Sequence, residues 1–264
     1  DNFENVSEAA GGERFQLLLP VDEPNQFELL DSGVANLAIG TNGDDVFTFA
    51  ADGVWGTYHV AQWNGDAEDS VSLAGFNRFH NAVSGNGGYD LLQLPSGDNG
   101  LLYSDLLSPA AASADATARL EGISEIAGNS GRDVIDLTDE YGGYAGDLLL
   151  KGGTGNDCLW AGKGADILVG GAGNDDLRGG QGDDIYLFDE NWGSDTVLDD
   201  GGTLVFDNTL RGRLAFSATN GGTRITDGTN SIELSWTATA PEAIYADVGE
   251  LVKLRRDTIK GFLA

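Results

Sequence analysis

Gly152 to Leu187 reads GGTGNDCLW, AGKGADILV, GGAGNDDLR, GGQGDDIYL, four nine-residue units on the pattern G-G-x-G-x-D-x-U-x, where U is a large apolar residue. Asp holds position 6 in every unit (Asp157, Asp166, Asp175, Asp184), Gly holds position 4, and Leu159, Leu168, Leu177 and Tyr186 hold position 8. Ala161, where a first Gly is expected, is the one slip. A tandem match of this kind is far more specific than an isolated glycine motif.

The glycines of G-G-x-G-x-D tolerate positive φ and close backbone approach, so the hexad is a turn. The remaining x-U-x is a short strand with one side chain directed inward. Turn, strand, turn, strand closes a coil every two units, which places Asp157 over Asp175 and Asp166 over Asp184 at a backbone spacing of about 4.8 Å. Two carboxylates that close repel by roughly 3 kcal/mol at an effective dielectric near 20. A cation between them removes the repulsion. The available donors are these carboxylates and the turn carbonyls of Gly152, Thr154 and Asn156, of Gly162, of Gly170, Ala172 and Asn174, and of Gly179, Gln181 and Asp183. An all-oxygen shell suits Ca²⁺ over metals that prefer softer ligands. A solvated Gly-rich linker would have no need of Asp at one phase and an apolar residue two places later.

These units resemble the repeats-in-toxin (RTX) nonapeptides of proteins exported by type I secretion in Gram-negative bacteria. The resemblance implies a parallel β-roll that folds on several Ca²⁺ ions outside the cell, hence a secreted or cell-surface protein. It covers 36 of 264 residues and leaves the function of the whole open.

Composition agrees with that expectation. With 14 basic and 43 acidic residues the net charge is −29, which disfavours nucleic acid and anionic membranes as partners. Forty glycines beside 41% hydrophobic residues indicate a turn-rich β protein. A single cysteine, Cys158, rules out an internal disulfide and leaves bound Ca²⁺ as the staple; Cys158 itself reads as a plain strand residue. No apolar run reaches membrane-spanning length, so no membrane insertion is expected. The chain opens DNFENV, with neither a basic nor an apolar leader region, and reads as a monomeric module of a larger protein.

Upstream, the hexad skeleton returns as GTNGDDVFT from Gly40 with Asp45, as GNGGYDLLQ from Gly85 with Asp90, and as GNSGRDVID from Gly128 with Asp133. The expected fold is therefore all-β: a Ca²⁺-stacked parallel β-roll or β-solenoid with long inserted lobes, a C-terminal β-hairpin region and a short terminal helix. Residues 1–35 form an N-terminal strand extension, with strands at Phe15–Leu19 and Gln26–Leu30. Residues 36–240 form one solenoid domain with insertions at 50–84 and 94–127, and 241–264 form a helical cap or tail. Insertions in repeat proteins often build the binding face. The first holds Trp55, Tyr58, Trp63, Phe76, Phe79 and both histidines, His59 and His80. Its Asn64, Asp66 and Asp69 suit either a further Ca²⁺ loop or solvated turns.

Positions 7 and 9 of the strict units point outward. One sheet is expected to expose Cys158, Trp160, Asp176 and Arg178. The other carries Ile167, Val169, Ile185 and Leu187, which demand a cover from elsewhere in the chain. Beyond the array, Asp195 is placed to ligate the last Ca²⁺, short strands follow at 203–206, 213–217, 223–226 and 231–236, and DGTN at Asp227–Asn230 is a hairpin turn. From Pro241 the apolar spacing of Ile244, Val248, Leu251, Val252, Leu254 and Ile259 predicts the helix.

No nucleophile elbow, zinc-protease or phosphate-loop motif occurs, and two histidines among aromatics read as packing residues, so no enzymatic activity is expected. The aromatic block of the first excursion, with LLYSDLL and RLEGISEI, is similar to peptide-binding domains of RTX adhesins. That resemblance implies capture of a peptide's C-terminal carboxylate by an exposed Ca²⁺, on a host or neighbouring cell surface. Asp98, Tyr103 and Asp105, in the second excursion, are the ligand-site candidates. The alternative is a structural Ca²⁺-folding segment of a type I-secreted enzyme or toxin.

Overall fold

The computed structural model describes residues 3–6, 15–18, 26–29, 36–49, 57–61, 68–72, 77–78, 82–103, 120–138, 143–199, 202–235 and 244–253. Two nine-stranded sheets, parallel except at the C-terminal end of one, face each other across the core. Sheet I runs from Gln26–Leu29 through Val46–Phe49, Leu91–Gln93, Glu125–Ala127, Leu149–Thr154, Ile167–Ala172, Ile185–Phe188 and Thr203–Asp207 to Ile244–Ala246. Sheet II includes Asn77–Arg78, Asn99–Leu102, Asp133–Asp136, Cys158–Trp160, Asp176–Arg178, Ser194–Val197 and Ser231–Leu234.

The strands of the two sheets are only two to six residues long, and the register aligns one inward residue of each into columns. Phe47, Leu92, Ile126, Leu150, Leu168, Tyr186 and Leu204 pair in sequence along sheet I. Leu101, Ile135, Leu159, Leu177, Val197 and Leu234 do the same along sheet II. All thirteen are buried, and each contributes about 1.5–3 kcal/mol of burial. The position 8 residues of the repeats are therefore the middle of a column that continues in both directions.

The early hexads join this stack but not in one line. The turns at Gly40 and Gly85 feed sheet I, as do those at Ala161 and Gly179; the turn at Gly128 feeds sheet II with those at Gly152 and Gly170. A third sheet lies on the N-terminal side, where Phe3–Val6, Phe15–Leu18, Asn36–Ile39, Ala82–Ser84 and Leu120–Glu121 pair in that order. The roll thus has three strands per coil near its N-terminal end and two along the strict repeats. Within 94–127, the PSGDN turn with Asn99–Leu102, and the strands Leu120–Glu121 and Glu125–Ala127, are paired parts of the solenoid. Within 50–84, Thr57–Ala61 and Glu68–Ser72 form an antiparallel hairpin.

At the C-terminal end Ser231–Leu234 pairs parallel with Ser194–Val197, then antiparallel with Thr223–Thr226, which pairs with Ala215–Ala218. The DGTN turn is closed by Asp227 Oδ1, which accepts from the N–H groups of Thr229 (2.9 Å) and Asn230 (2.8 Å). The helix begins later than its apolar spacing predicts. Ile244–Ala246 is a strand that pairs with Val205–Asp207, whose open sheet edge competes for that backbone, and among the described residues the helix covers 248–253. Among the described residues no helix is long and apolar enough to cross a membrane.

That helix covers the apolar outer face of sheet I. Leu187, Val205 and Val248 form a buried cluster against which Ile167, Val169, Ile185, Leu251 and Val252 pack. The outer face of sheet II departs from expectation, because Trp160 and Arg178 are buried while Cys158 and Asp176 are half-buried. The Arg178 guanidinium lies 3.4 Å from the Trp160 ring centre. Asp176 Oδ1 accepts from Trp160 Nε1 at 3.2 Å and from Arg178 Nε at 3.0 Å. Cation–π stacking with an ion pair lets the apolar stem and ring shield one another, so residues that read as solvent-facing are largely removed from water.

Candidate metal centre

The hexad needs glycine for two different reasons. At position 1, a Cβ on Gly152, Gly170 or Gly179 would collide with the Oδ2 of the position 6 Asp of its own turn. At position 4, Gly155, Gly173 and Gly182 have φ of 143°, 151° and 148°, which side-chain-bearing residues rarely adopt. Two of the degenerate turns place Asn at position 2 (Asn86, φ 71°; Asn129, φ 72°), the residue that best tolerates this region after glycine.

These turns stack the acids in two rows. In the row beside sheet II, Asn99 N–H donates to Asp133 Oδ1 (3.0 Å), Asp133 to Asp157 (2.8 Å), Asp157 to Asp175 (2.8 Å) and Asp175 to Asp195 (3.0 Å). In the row beside sheet I, Asp45 N–H donates to Asp90 Oδ1 (3.0 Å), and Asp166 N–H to Asp184 Oδ1 (2.8 Å). Asp157 therefore lies over Asp175, and Asp166 over Asp184, eighteen residues apart. The turns of these rows also carry Gly152, Thr154, Asn156, Gly162, Gly170, Ala172, Asn174, Gly179, Gln181 and Asp183.

One oxygen of each carboxylate is thus used by the backbone. The other, Oδ2 of Asp90, Asp133, Asp157, Asp175, Asp184 and Asp195, is buried and accepts no hydrogen bond. Beside it lies a carbonyl of the following turn: Gly122 for Asp90, Gly152 for Asp133 and Gly170 for Asp157. Burial, joined for most of them by neighbouring aspartates, pushes the carboxyls up, Asp133 and Asp195 to about 8, Asp90 and Asp157 to about 7, and Asp175 and Asp184 to about 6. A bare ionised oxygen in such a place costs several kcal/mol, ~2–7 for even a neutral polar group, unless a cation meets it. Among the described residues no three His, Cys, Asp or Glu side chains converge. The donors are paired carboxylates and backbone carbonyls, which fit Ca²⁺ and lack the nitrogen and sulfur that Zn²⁺ selects.

Position 5 carries a device that the repeat pattern did not announce. Asn156 Oδ1 accepts from Asn174 N–H (2.9 Å), Asn174 Oδ1 from Ser194 N–H (3.0 Å), and Asp98 Oδ1 from Arg132 N–H (2.8 Å). These side chains tie each turn to the next outside the metal rows. The row beside sheet I ends on Tyr186, whose hydroxyl accepts from Gly179 N–H (2.8 Å) and donates to Asp199 Oδ2 (2.5 Å).

That same row is interrupted. After Leu120–Glu121 the turn is only Gly122–Ile123–Ser124, half the length of a hexad, and the next turn ends on Leu148 where the repeats carry Asp. The shortfall opens a cleft of about 430 Å³ lined by Asn86–Gly88, Tyr103, Leu120–Ser124 and Tyr144–Gly146. Tyr144 braces the short turn, its hydroxyl donating to the Ile123 carbonyl and accepting from Ile123 N–H, both at 2.8 Å. Tyr103 packs edge-on against Tyr144 at 6.2 Å.

The ligand-site candidates are not all brought together. Tyr103 is at the cleft, whereas Asp98 is an exposed turn residue at the opposite end of the strand Asn99–Leu102. Asp105, Trp55, Asn64, Asp66, Phe76, Phe79 and His80 lie outside the described residues, and His59 falls in the hairpin strand Thr57–Ala61. Burial pushes the Cys158 thiol up to about 12, so it is no thiolate at neutral pH.

Stacked turns, orphaned carboxylate oxygens and an oxygen-only donor set define a calcium-dependent parallel β-roll. In agreement, residues 150–186 match the RTX calcium-binding nonapeptide repeat in four copies. The hexads at Gly40, Gly85 and Gly128 lie outside that match and extend the same geometry. No curated protein matches the sequence.

Proposed function

We propose that this chain is a Ca²⁺-dependent ligand-binding module of a secreted RTX adhesin, that it is not an enzyme, and that its ligand is a peptide presented on a host or neighbouring cell surface. The observation that carries this reading is the cleft at the broken turn row. The Gly85–Asp90 turn supplies a full set of oxygens on one side, including the bare Asp90 Oδ2. The turn opposite supplies only three residues, with the Gly122 carbonyl beside that oxygen.

A Ca²⁺ held there has fewer turn oxygens on its second side than one held between two hexads, and a Ca²⁺ with an open position binds a carboxylate directly. Tyr103, Tyr144 and the backbone of Gly122 and Gly146 supply the walls against which a ligand's terminal side chains would pack. Export by the type I route and folding in extracellular Ca²⁺ belong to the same reading.

The test is an array of peptides with free C termini, probed in Ca²⁺ and in chelator with the wild-type chain and Asp90→Asn. Capture that needs Ca²⁺, needs the free terminus and is lost in the variant supports the proposal. Capture indifferent to Ca²⁺ contradicts it. Absence of any capture favours the alternative, a Ca²⁺-folding segment serving an exported enzyme or toxin.

A further inference from the structure

In the row beside sheet II, Asn99 stands at the position where every later turn carries Asp, and the register pairs it on its other side with Asn77. Its side-chain Nδ2 lies 2.8 Å from the Pro95 carbonyl oxygen, 2.7 Å from that of Gly97 and 2.6 Å from Asp133 Oδ1. All three neighbours are acceptors, so the nitrogen is the end of the amide that belongs there; the amide oxygen would face three oxygens. The stacking of Gly97, Gly131, Gly155 and Gly173 identifies Pro95 and Gly97 as positions 2 and 4 of a hexad. A second amide closes position 1 of the same turn, since Asn129 Nδ2 donates to the Leu94 carbonyl at 2.6 Å. The turn therefore has its carbonyls at positions 1, 2 and 4 engaged by side-chain amides.

We propose that Asn99, with Asn129, is a built-in substitute for a cation, so that the inter-turn position between Leu94–Asn99 and Gly128–Asp133 stays free of Ca²⁺ and the metal row starts at Asp133–Asp157. The electrostatics agree. An Asp–Asp pair carries two buried charges and demands a cation, whereas Asn99–Asp133 carries one, whose Oδ1, the oxygen that faces Asn99, is already met by two N–H donors. The carboxylates that follow each leave Oδ2 bare, while the buried Asn99 amide nitrogen is surrounded by acceptors. The consequence is positional. The strand Asn99–Leu102, which ends at Tyr103 in the cleft wall, starts from a turn that is held without metal. Occupancy near the cleft is then set by the Asp90 side alone.

The experiment locates Ca²⁺ in crystals of the wild-type chain by anomalous scattering and counts bound Ca²⁺ by native mass spectrometry for the wild type and for N99D combined with N129G. That double variant restores Asp at position 6 and Gly at position 2. The expected results are no anomalous peak between the turns at 94–99 and 128–133, a peak between those at 128–133 and 152–157, and one more Ca²⁺ per chain in the variant. A wild-type peak at the first position overturns the proposal, and so does a folded variant with an unchanged count. Should the variant not fold, the wild-type map decides alone.

Discussion

Asp157 sits between two neighbours of its own kind, accepting from Asp133 N–H and donating its own N–H to Asp175, and keeps Oδ2 buried and bare. Its worth depends on what stands beside that oxygen. With Ca²⁺ present the carboxylate is half of two cation sites, and Asp157→Asn leaves both short of charge; breaking a buried charge pair in this way costs about 3–5 kcal/mol. In chelator the same substitution removes an uncompensated buried charge, and the chain should become more stable than wild type. Thermal unfolding of both proteins in Ca²⁺ and in chelator reads the two signs directly, and the same sign in both conditions would contradict a metal role for Asp157. The position 6 acids were legible from sequence because the nine-residue period fixes their phase. Asn99 was not, because PSGDNG shares only one glycine with the hexad and its role is visible only once Gly97 is seen stacked on Gly131.

At the scale of the turn row, the folded chain raises the carboxyls above their ordinary value of 3.8, Asp133 to about 8 and Asp157 to about 7, by burial first and by neighbouring charge second. The sign follows from linkage. As pH rises past about 4 the unfolded chain ionises while the metal-free fold resists, so the fold loses stability until pH exceeds the folded values, near 8. In chelator the urea midpoint should therefore rise on going from about pH 8 to about pH 5. In Ca²⁺ the trend reverses, because protons compete for the same oxygens and affinity falls on acidification. A midpoint in chelator that is flat across this range would contradict the burial of bare carboxylates.

The helix at 248–253 offers a second element-scale test. Leu187 points away from the interior between the sheets, yet is as buried as the interior leucines, beneath Val248. Leu187→Ala should cost about 2–5 kcal/mol, the range of a core leucine, measured by urea unfolding in Ca²⁺; a change below about 1 kcal/mol would mean the cover is absent in solution. The need for a cover was legible in the apolar residues at positions 7 and 9, whereas the burial of Trp160 and Arg178 was not. Their shielding is a mutual stack across neighbouring strands, and residue type alone places a charged Arg in water.

Over the whole molecule, the four perfect repeats are one end of a longer object. The column of buried residues runs from Phe47 to Leu204 on one sheet and from Leu101 to Leu234 on the other, and the coil widens to three strands upstream, where the hexads degenerate. The parallel roll and its two Asp rows could be read from spacing, because a turn that must accommodate a carboxylate at position 6 tolerates few other sequences. The cleft could not, since it arises from a missing half-turn at Gly122–Ser124, and an absence has no motif. Within a chain of net charge −29, Asp90, Asp133, Asp157, Asp175, Asp184 and Asp195 each bury a bare carboxylate oxygen in the stacked turns, so the fold as a whole depends on divalent cation. The most direct test is a Ca²⁺ titration of the chelated chain followed by far-ultraviolet circular dichroism and by melting temperature. Ca²⁺ is predicted to raise Tm by a large margin with a midpoint of about 10⁻⁴–10⁻³ M, and to restore β signal steeply at temperatures above the Tm of the chelated chain; identical spectra and an identical Tm in chelator and in Ca²⁺ would contradict this.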